Sequence, residues 1–187
     1  YGDGKESSCE NTVNSVQRLF YNIPINTYFS LDLDGISALN DSVGGVDVVS
    51  PETIGEFVEG ESYHLVGQQA ESFVRTRDTS KTDSNNMRMQ RQKVYIQSFM
   101  NTVLQQTKKD LTTPIDLFNA SAPYSCTNLN PSKVSYLAQQ AVLGGMNGID
   151  MVSVPGQVAM GSKYAEFNVS EAEFYQLFLS IYYTKIE

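Results

Sequence analysis

Four of the five arginines in this 187-residue chain, Arg75, Arg77, Arg88 and Arg91, fall within one short stretch. Between residues 75 and 93 stand six basic side chains, these four with Lys81 and Lys93, against only Asp78 and Asp83. The local balance is +4, while the whole chain carries −8, so the remainder holds −12. A concentration of guanidinium groups in an otherwise acidic protein points to recognition of a small anion. Phosphate suits it best, because the planar fork of arginine matches phosphate oxygens in bidentate fashion. The competing reading is a solvated charge run on a helix face.

The elements that would carry these side chains sharpen the reading. A long helix is expected from about Asn86 to Lys108, with Ile96, Phe99, Met100, Val103 and Leu104 as its apolar stripe. Arg88 and Gln92 are i and i+4 on that helix, in line with Ile96, so two polar side chains project from its first turns along a buried face. A buried guanidinium without a partner costs several kcal/mol on an order-of-magnitude estimate, so an anion is expected beside it. The helix N-terminus adds free N–H groups and a positive dipole end. Arg75 and Arg77 are two apart and would point the same way from an extended segment. Pairing with Asp78, Asp83 or a nearby Glu is the alternative there.

The rest of the chain reads as mixed structure. Helices are expected over 8–21 (capped by Ser7 or Ser8, stopped by Pro24), from Asp34 to about Asn40, over 65–74, from Thr113-Pro114, over 131–143, and after Ser170. Strands are expected over 25–33, 46–49, 149–154 and 164–168, with Gly44-Gly45 as a turn and residues 52–64 mostly loop. Helices and strands alternate without repeat, low-complexity tract or linker, which gives one α/β or α+β domain over residues 1–187. Hydrophobic residues at 41% and charged residues at 18% are those of a folded globular chain. The acidity argues against nonspecific binding to nucleic acid or to an anionic membrane surface. No apolar run approaches the roughly 20 residues that span a bilayer. His64 is the single histidine and lies outside the arginine stretch; with no G-x-S-x-G present, Ser/His/Asp catalysis is set aside. Cys9 and Cys126 are the only cysteines. An even count permits one disulfide closing a long loop, and two free thiols are the equal alternative.

Several short motifs stand in one order and spacing. Leu65-Val66-Gly67-Gln68-Gln69-Ala70, then Arg75-Thr76-Arg77, then Asp83, Arg88, Arg91 and Gln92 resemble the signature of the LytR-CpsA-Psr family: L-x-G-x-x-A, R-x-R, an Asp, and R-x-x-R-Q. Upstream, Ile23-Pro24-Ile25-Asn26-Thr27-Tyr28 and Gly44-Gly45-Val46-Asp47-Val48 are similar to its I-P-I-D-x-Y strand and G-G-V-x-V turn, and Tyr1-Gly2-Asp3-Gly4 to its A-Y-x-x-G-G entry. Residues 1–108 carry these motifs; residues 109–187 match in general style, at Thr127-Asn128-Leu129 and Val154-Pro155-Gly156. The gap from Asp83 to Arg88 is longer than the family's D-x-x-R, which makes Asp78 a rival for the acidic position. Glu71 stands where an apolar residue is usual, and Asn26 where Asp is frequent.

The resemblance implies a three-layer domain, a central mixed sheet flanked by helices, here truncated at its N-terminus. It implies an extracytoplasmic phosphotransferase that moves a glycopolymer (teichoic acid, capsule or another glycan) from a polyprenyl-pyrophosphate carrier to peptidoglycan; a non-catalytic module for polyprenyl phosphate or anionic glycan is the alternative. Arg75, Arg77, Arg88 and Gln92 would bind the pyrophosphate, with Asp83 and Arg88 the catalytic pair. Mg²⁺ is implied as cofactor, its ligands expected in upstream strands that the fragment does not include, as is a membrane anchor. Nucleic acid is not an expected partner, which sets aside the family's older label of transcriptional attenuator. An extracytoplasmic location favours the Cys9–Cys126 bridge.

Overall fold

The computed structural model describes residues 4–80, 84–162 and 165–184. In chain order the elements are α1 (Lys5–Leu19), β1 (Phe29–Leu31), α2 (Gly35–Ser42), β2 (Val46–Val49), β3 (Ser62–Leu65), α3 (Gln68–Arg75), α4 (Ser84–Lys109), α5 (Thr113–Ser121), β4 (Ser125–Thr127), α6 (Pro131–Leu143), β5 (Gly156–Met160), β6 (Ala165–Val169) and α7 (Glu171–Tyr182). The class is mixed α/β, as expected. Among the described residues the strands form three antiparallel pairs, β1–β4, β2–β3 and β5–β6, and no single central sheet.

The core lies where the β2–β3 ribbon meets α3 and the middle of α4. Val46 and Val48 point inward from β2 while Asp47 and Val49 face out, the period-2 alternation of a one-sided ribbon. Ala70, Phe73 and Val74 form the buried face of α3 at i, i+3 and i+4 spacing. With Leu65, Phe57 and Tyr95 they make one contiguous cluster, in which Phe57 meets Phe73 edge-on with ring centroids 5.0 Å apart. Gly45, in the turn before β2, has φ +93°, and a Cβ there would come within 2.4 Å of His64 Nε2, so the position requires glycine.

One buried amide ties three elements together. Asn40 of α2 is fully buried; its Nδ2 donates to the Leu65 carbonyl at 2.7 Å, and its Oδ1 accepts from the Tyr95 hydroxyl at 3.2 Å. Burial, then the charge of Asp41, pushes the Tyr95 phenol far above its ordinary value, so it stays a donor. Asn40→Ala strips partners from both groups and leaves a small void. The expected loss is about 2–4 kcal/mol, read as a lower urea midpoint with unchanged slope.

Several elements depart from the sequence reading. The apolar face of α4 is partly rotated: of the expected stripe Leu104 is buried and Phe99 and Val103 pack against the core, while Ile96 is 45% and Met100 39% exposed and Arg91, Tyr95 and Thr107 are buried. Tyr95 fixes that rotation by stacking on Phe99 and bonding Asn40. α1 ends at Leu19, before Pro24, because Tyr21 and Asn22 take left-handed φ of 53° and 61°. There Phe20 and Tyr21 pack against Phe174 and Phe178 of α7. The strand expected over 25–33 shortens to β1. Residues 149–154 form no strand, since the side chains of Gln97 and Asn101 on α4 take the Ile149 carbonyl and N–H. Among the described residues no helix is long and apolar enough to cross a membrane.

Candidate functional site

The arginine-bearing segment is the join between α3 and α4, held by side chains of α4. Arg91 is fully buried; its Nε donates to Glu52 Oε1 at 2.7 Å, and its two terminal nitrogens donate to the carbonyls of Phe73 and Thr76. Those carbonyls lie at the C-terminal end of α3, where helix carbonyls lack partners and the dipole is negative. Beside it on α4, Gln92 Nε2 donates to the Val74 carbonyl at 3.2 Å. Arg91 is therefore a structural anchor, not a ligand group. Its position one turn before the buried Tyr95 is the sequence signal for that role.

Around this anchor stand the other expected site residues. Arg75 closes α3 and is held by Glu71, one turn earlier, with Nη1 2.6 Å from Oε1. Glu71 thus departs from the usual apolar residue because it has a cation to pair with. The backbone turns extended only at Thr76, with ψ 137°, so Arg75 and Arg77 are not the parallel pair expected. Arg77 Nε donates to the hydroxyl of the buried Ser84 at the start of α4, at 3.0 Å. Arg88 Nη2 donates to Asn85 Oδ1 at 2.9 Å, while its buried Nε has no partner. Among the described residues no carboxylate pairs with Arg77 or Arg88. Sequence reasoning missed Ser84 and Asn85, whose roles are visible only once the loop brings them to the arginines.

The acidic position is less defined. Asp78 Oδ1 accepts from the Ser80 N–H and hydroxyl, capping its own turn. Asp83 lies outside the described residues. Among the described residues no group of three His, Cys, Asp or Glu side chains is arranged to hold a metal ion.

Beside the join opens an apolar cleft of about 270 Å³, walled by Leu31, Leu33, Ile36, Tyr95, Ile96 and Phe99, with Val74 and Gln92 also in its lining. Its lining is almost wholly hydrocarbon. Val74 and Gln92 belong to both features: they are bonded to each other, and Arg75 follows the first while Arg88 lies one helical turn before the second. The cationic join and the apolar cleft are contiguous.

The model of the LytR_cpsA_psr family matches residues 5–179. The chain belongs to that family. The match runs through the motif-bearing part and most of the remainder. Among curated relatives, a Bacillus anthracis protein named polyisoprenyl-teichoic acid–peptidoglycan teichoic acid transferase TagU is 39% identical over 62 residues. That stretch is 31% of this chain and 20% of the relative, so the alignment spans about a fifth of the curated proteins it matches. Solved structures share the fold. Bacillus subtilis TagV superposes with TM-score 0.67 at 22% identity, over 98% of this chain and 72% of that one. A LytR-CpsA-Psr enzyme of Actinomyces oris gives 0.61 at 17%, over 87% and 65%, and TagT bound to LI-WTA gives 0.65 at 15%, over 95% and 69%.

Proposed function

We propose that this LytR-CpsA-Psr domain binds a polyprenyl-pyrophosphate-linked glycopolymer and transfers it to peptidoglycan. What carries the reading is the contiguity of two unlike surfaces: the α3–α4 join, where among the described residues no carboxylate pairs with Arg77 or Arg88, adjoins an apolar cleft through Val74 and Gln92. The isoprenoid tail would enter between Leu33 and Ile96, and the diphosphate would meet Arg77 and Arg88, satisfying the buried Nε of Arg88. Arg75 would join after release from Glu71, and Gln92 after exchanging the Val74 carbonyl for a phosphate oxygen. The acceptor sugar hydroxyl attacks the glycan-side phosphorus, a new phosphodiester forms, and the bond to the lipid phosphate breaks. Phosphoryl transfer asks of the protein chiefly positioning and neutralisation of charge, which arginines supply. Asp83 is the proposed acidic partner, as base for the hydroxyl or as orienter of an arginine. The Mg²⁺ that the family resemblance implies would draw its ligands from residues outside the described ones. The reaction belongs outside the membrane, where peptidoglycan is, with an anchor elsewhere in the full-length protein.

Farnesyl pyrophosphate is the probe. Followed by calorimetry, it should bind at least about tenfold more tightly than inorganic pyrophosphate or farnesol, since a few buried methylenes contribute about 0.8 kcal/mol each. Ile96→Glu should erase the gain from the tail and leave pyrophosphate affinity intact; stability should change little because Ile96 is half exposed. Equal affinity for farnesyl pyrophosphate and pyrophosphate would overturn the reading. Lipid-linked glycan incubated with peptidoglycan fragments then separates the two activities. Release of polyprenyl phosphate marks the transferase; tight binding with no release marks a binding module.

A further inference from the structure

α1 is attached to the domain by few contacts. None of its residues is fully buried, and along its N-terminal half it is separated from the β1–β4 ribbon by an open cleft of about 790 Å³. Lys5, Cys9, Val13 and Val16 line one side of that cleft; Tyr28, Asp32 and Cys126 line the other. One ion pair bridges it: Lys5 Nζ lies 3.0 Å from Asp32 Oδ2, an exposed pair. Deeper, the half-buried free thiols of Cys9 and Cys126 line the same cleft, with Tyr28 also in its lining. Cys126 sits opposite Ser30 in the middle of the ribbon, so its backbone is held by the strand pair. Two thiols more than a hundred positions apart in the chain thus share one cleft.

We infer that Cys9 and Cys126 are a redox site, a dithiol that closes to a disulfide and staples α1 to the β1–β4 ribbon. The oxidant is a disulfide, either a small molecule or an exposed disulfide of an oxidoreductase. One cysteine, as thiolate, attacks the external disulfide and expels one thiolate. The second cysteine then attacks the mixed disulfide and expels the other. Two protein thiols are oxidised to one disulfide, the external disulfide is reduced to two thiols, and the cysteine protons pass to the departing thiolates. Desolvation, then the neighbouring Cys9 side chain, raises the Cys126 thiol above its ordinary value. The bond would act where burial is thinnest. It constrains the unfolded chain through a very long loop and removes the freedom of α1 to lift from the cleft.

The test treats the reduced, full chain with oxidised glutathione. Thiol titration under denaturing conditions should fall from two groups to none, and peptide mass spectrometry should recover the Cys9 peptide joined to the Cys126 peptide. Tm should rise on the order of 10 °C, reversed by dithiothreitol. Cys9→Ser should show no such rise; because that variant could fold poorly, the wild-type measurements decide. Glutathione adducts on separate cysteines without a cross-link would overturn the proposal, as would a cross-link that leaves Tm unchanged or lowers it.

Discussion

Arg91→Met is expected to lower stability by about 3–5 kcal/mol, enough to leave much of the protein unfolded at 37 °C. The cost has two parts. Glu52, itself mostly buried, would keep a carboxylate with no cation, and the Phe73 and Thr76 carbonyls would lose their donors. Arg91→Lys should recover little, because one ammonium cannot reach a carboxylate and two carbonyls spread around a planar fork. The double change Arg91→Met with Glu52→Leu should regain part of the loss, since replacing both members of a buried pair removes the orphaned charge. Urea unfolding of the wild type, the two single variants and the double forms a double-mutant cycle. Additive losses would show that the pair does not act as a unit.

Arg88→Ala should leave stability within about 0.5 kcal/mol, because its one hydrogen bond among the described residues goes to the exposed Asn85. Affinity for farnesyl pyrophosphate should instead fall by about 10- to 100-fold, the worth of charge-assisted hydrogen bonds at about 1.5–3 kcal/mol. Arg77→Ala should behave alike, with a small stability loss from the unpaired Ser84 hydroxyl. Arg75→Ala should cost less, since the ligand must first displace Glu71 from that guanidinium. Glu71→Gln, which frees Arg75, should raise affinity. Unchanged affinity in both Arg77→Ala and Arg88→Ala would remove the arginine join from the binding site.

Much of this site was legible in the order of residues. The L-x-G-x-x-A, R-x-R and R-x-x-R-Q spacings marked one loop-to-helix join, and the family match agrees with that resemblance. The i, i+4 relation of Arg88 to Gln92 follows from helix geometry alone, and so does the anion-favouring end of α4. Short-range rules also located β2, the Gly44-Gly45 turn and the Asn130 cap of α6, whose side chain accepts from the Lys133 N–H at 2.9 Å.

Tertiary structure decided what the arginines do. Four guanidinium groups of one sequence neighbourhood have different partners: Glu71 for Arg75, a serine hydroxyl for Arg77, an asparagine for Arg88, and Glu52 with two carbonyls for Arg91. Local spacing cannot rank them, because desolvation depends on what packs above each side chain, and the carboxylate that claims Arg91 comes from a distant segment. The same holds for α4, whose buried face was set by a tyrosine bonded to an asparagine 55 positions earlier, and for two cysteines that meet across a cleft. Sequence settled where the guanidinium groups cluster along the chain. Only folding settled which of them are already spoken for.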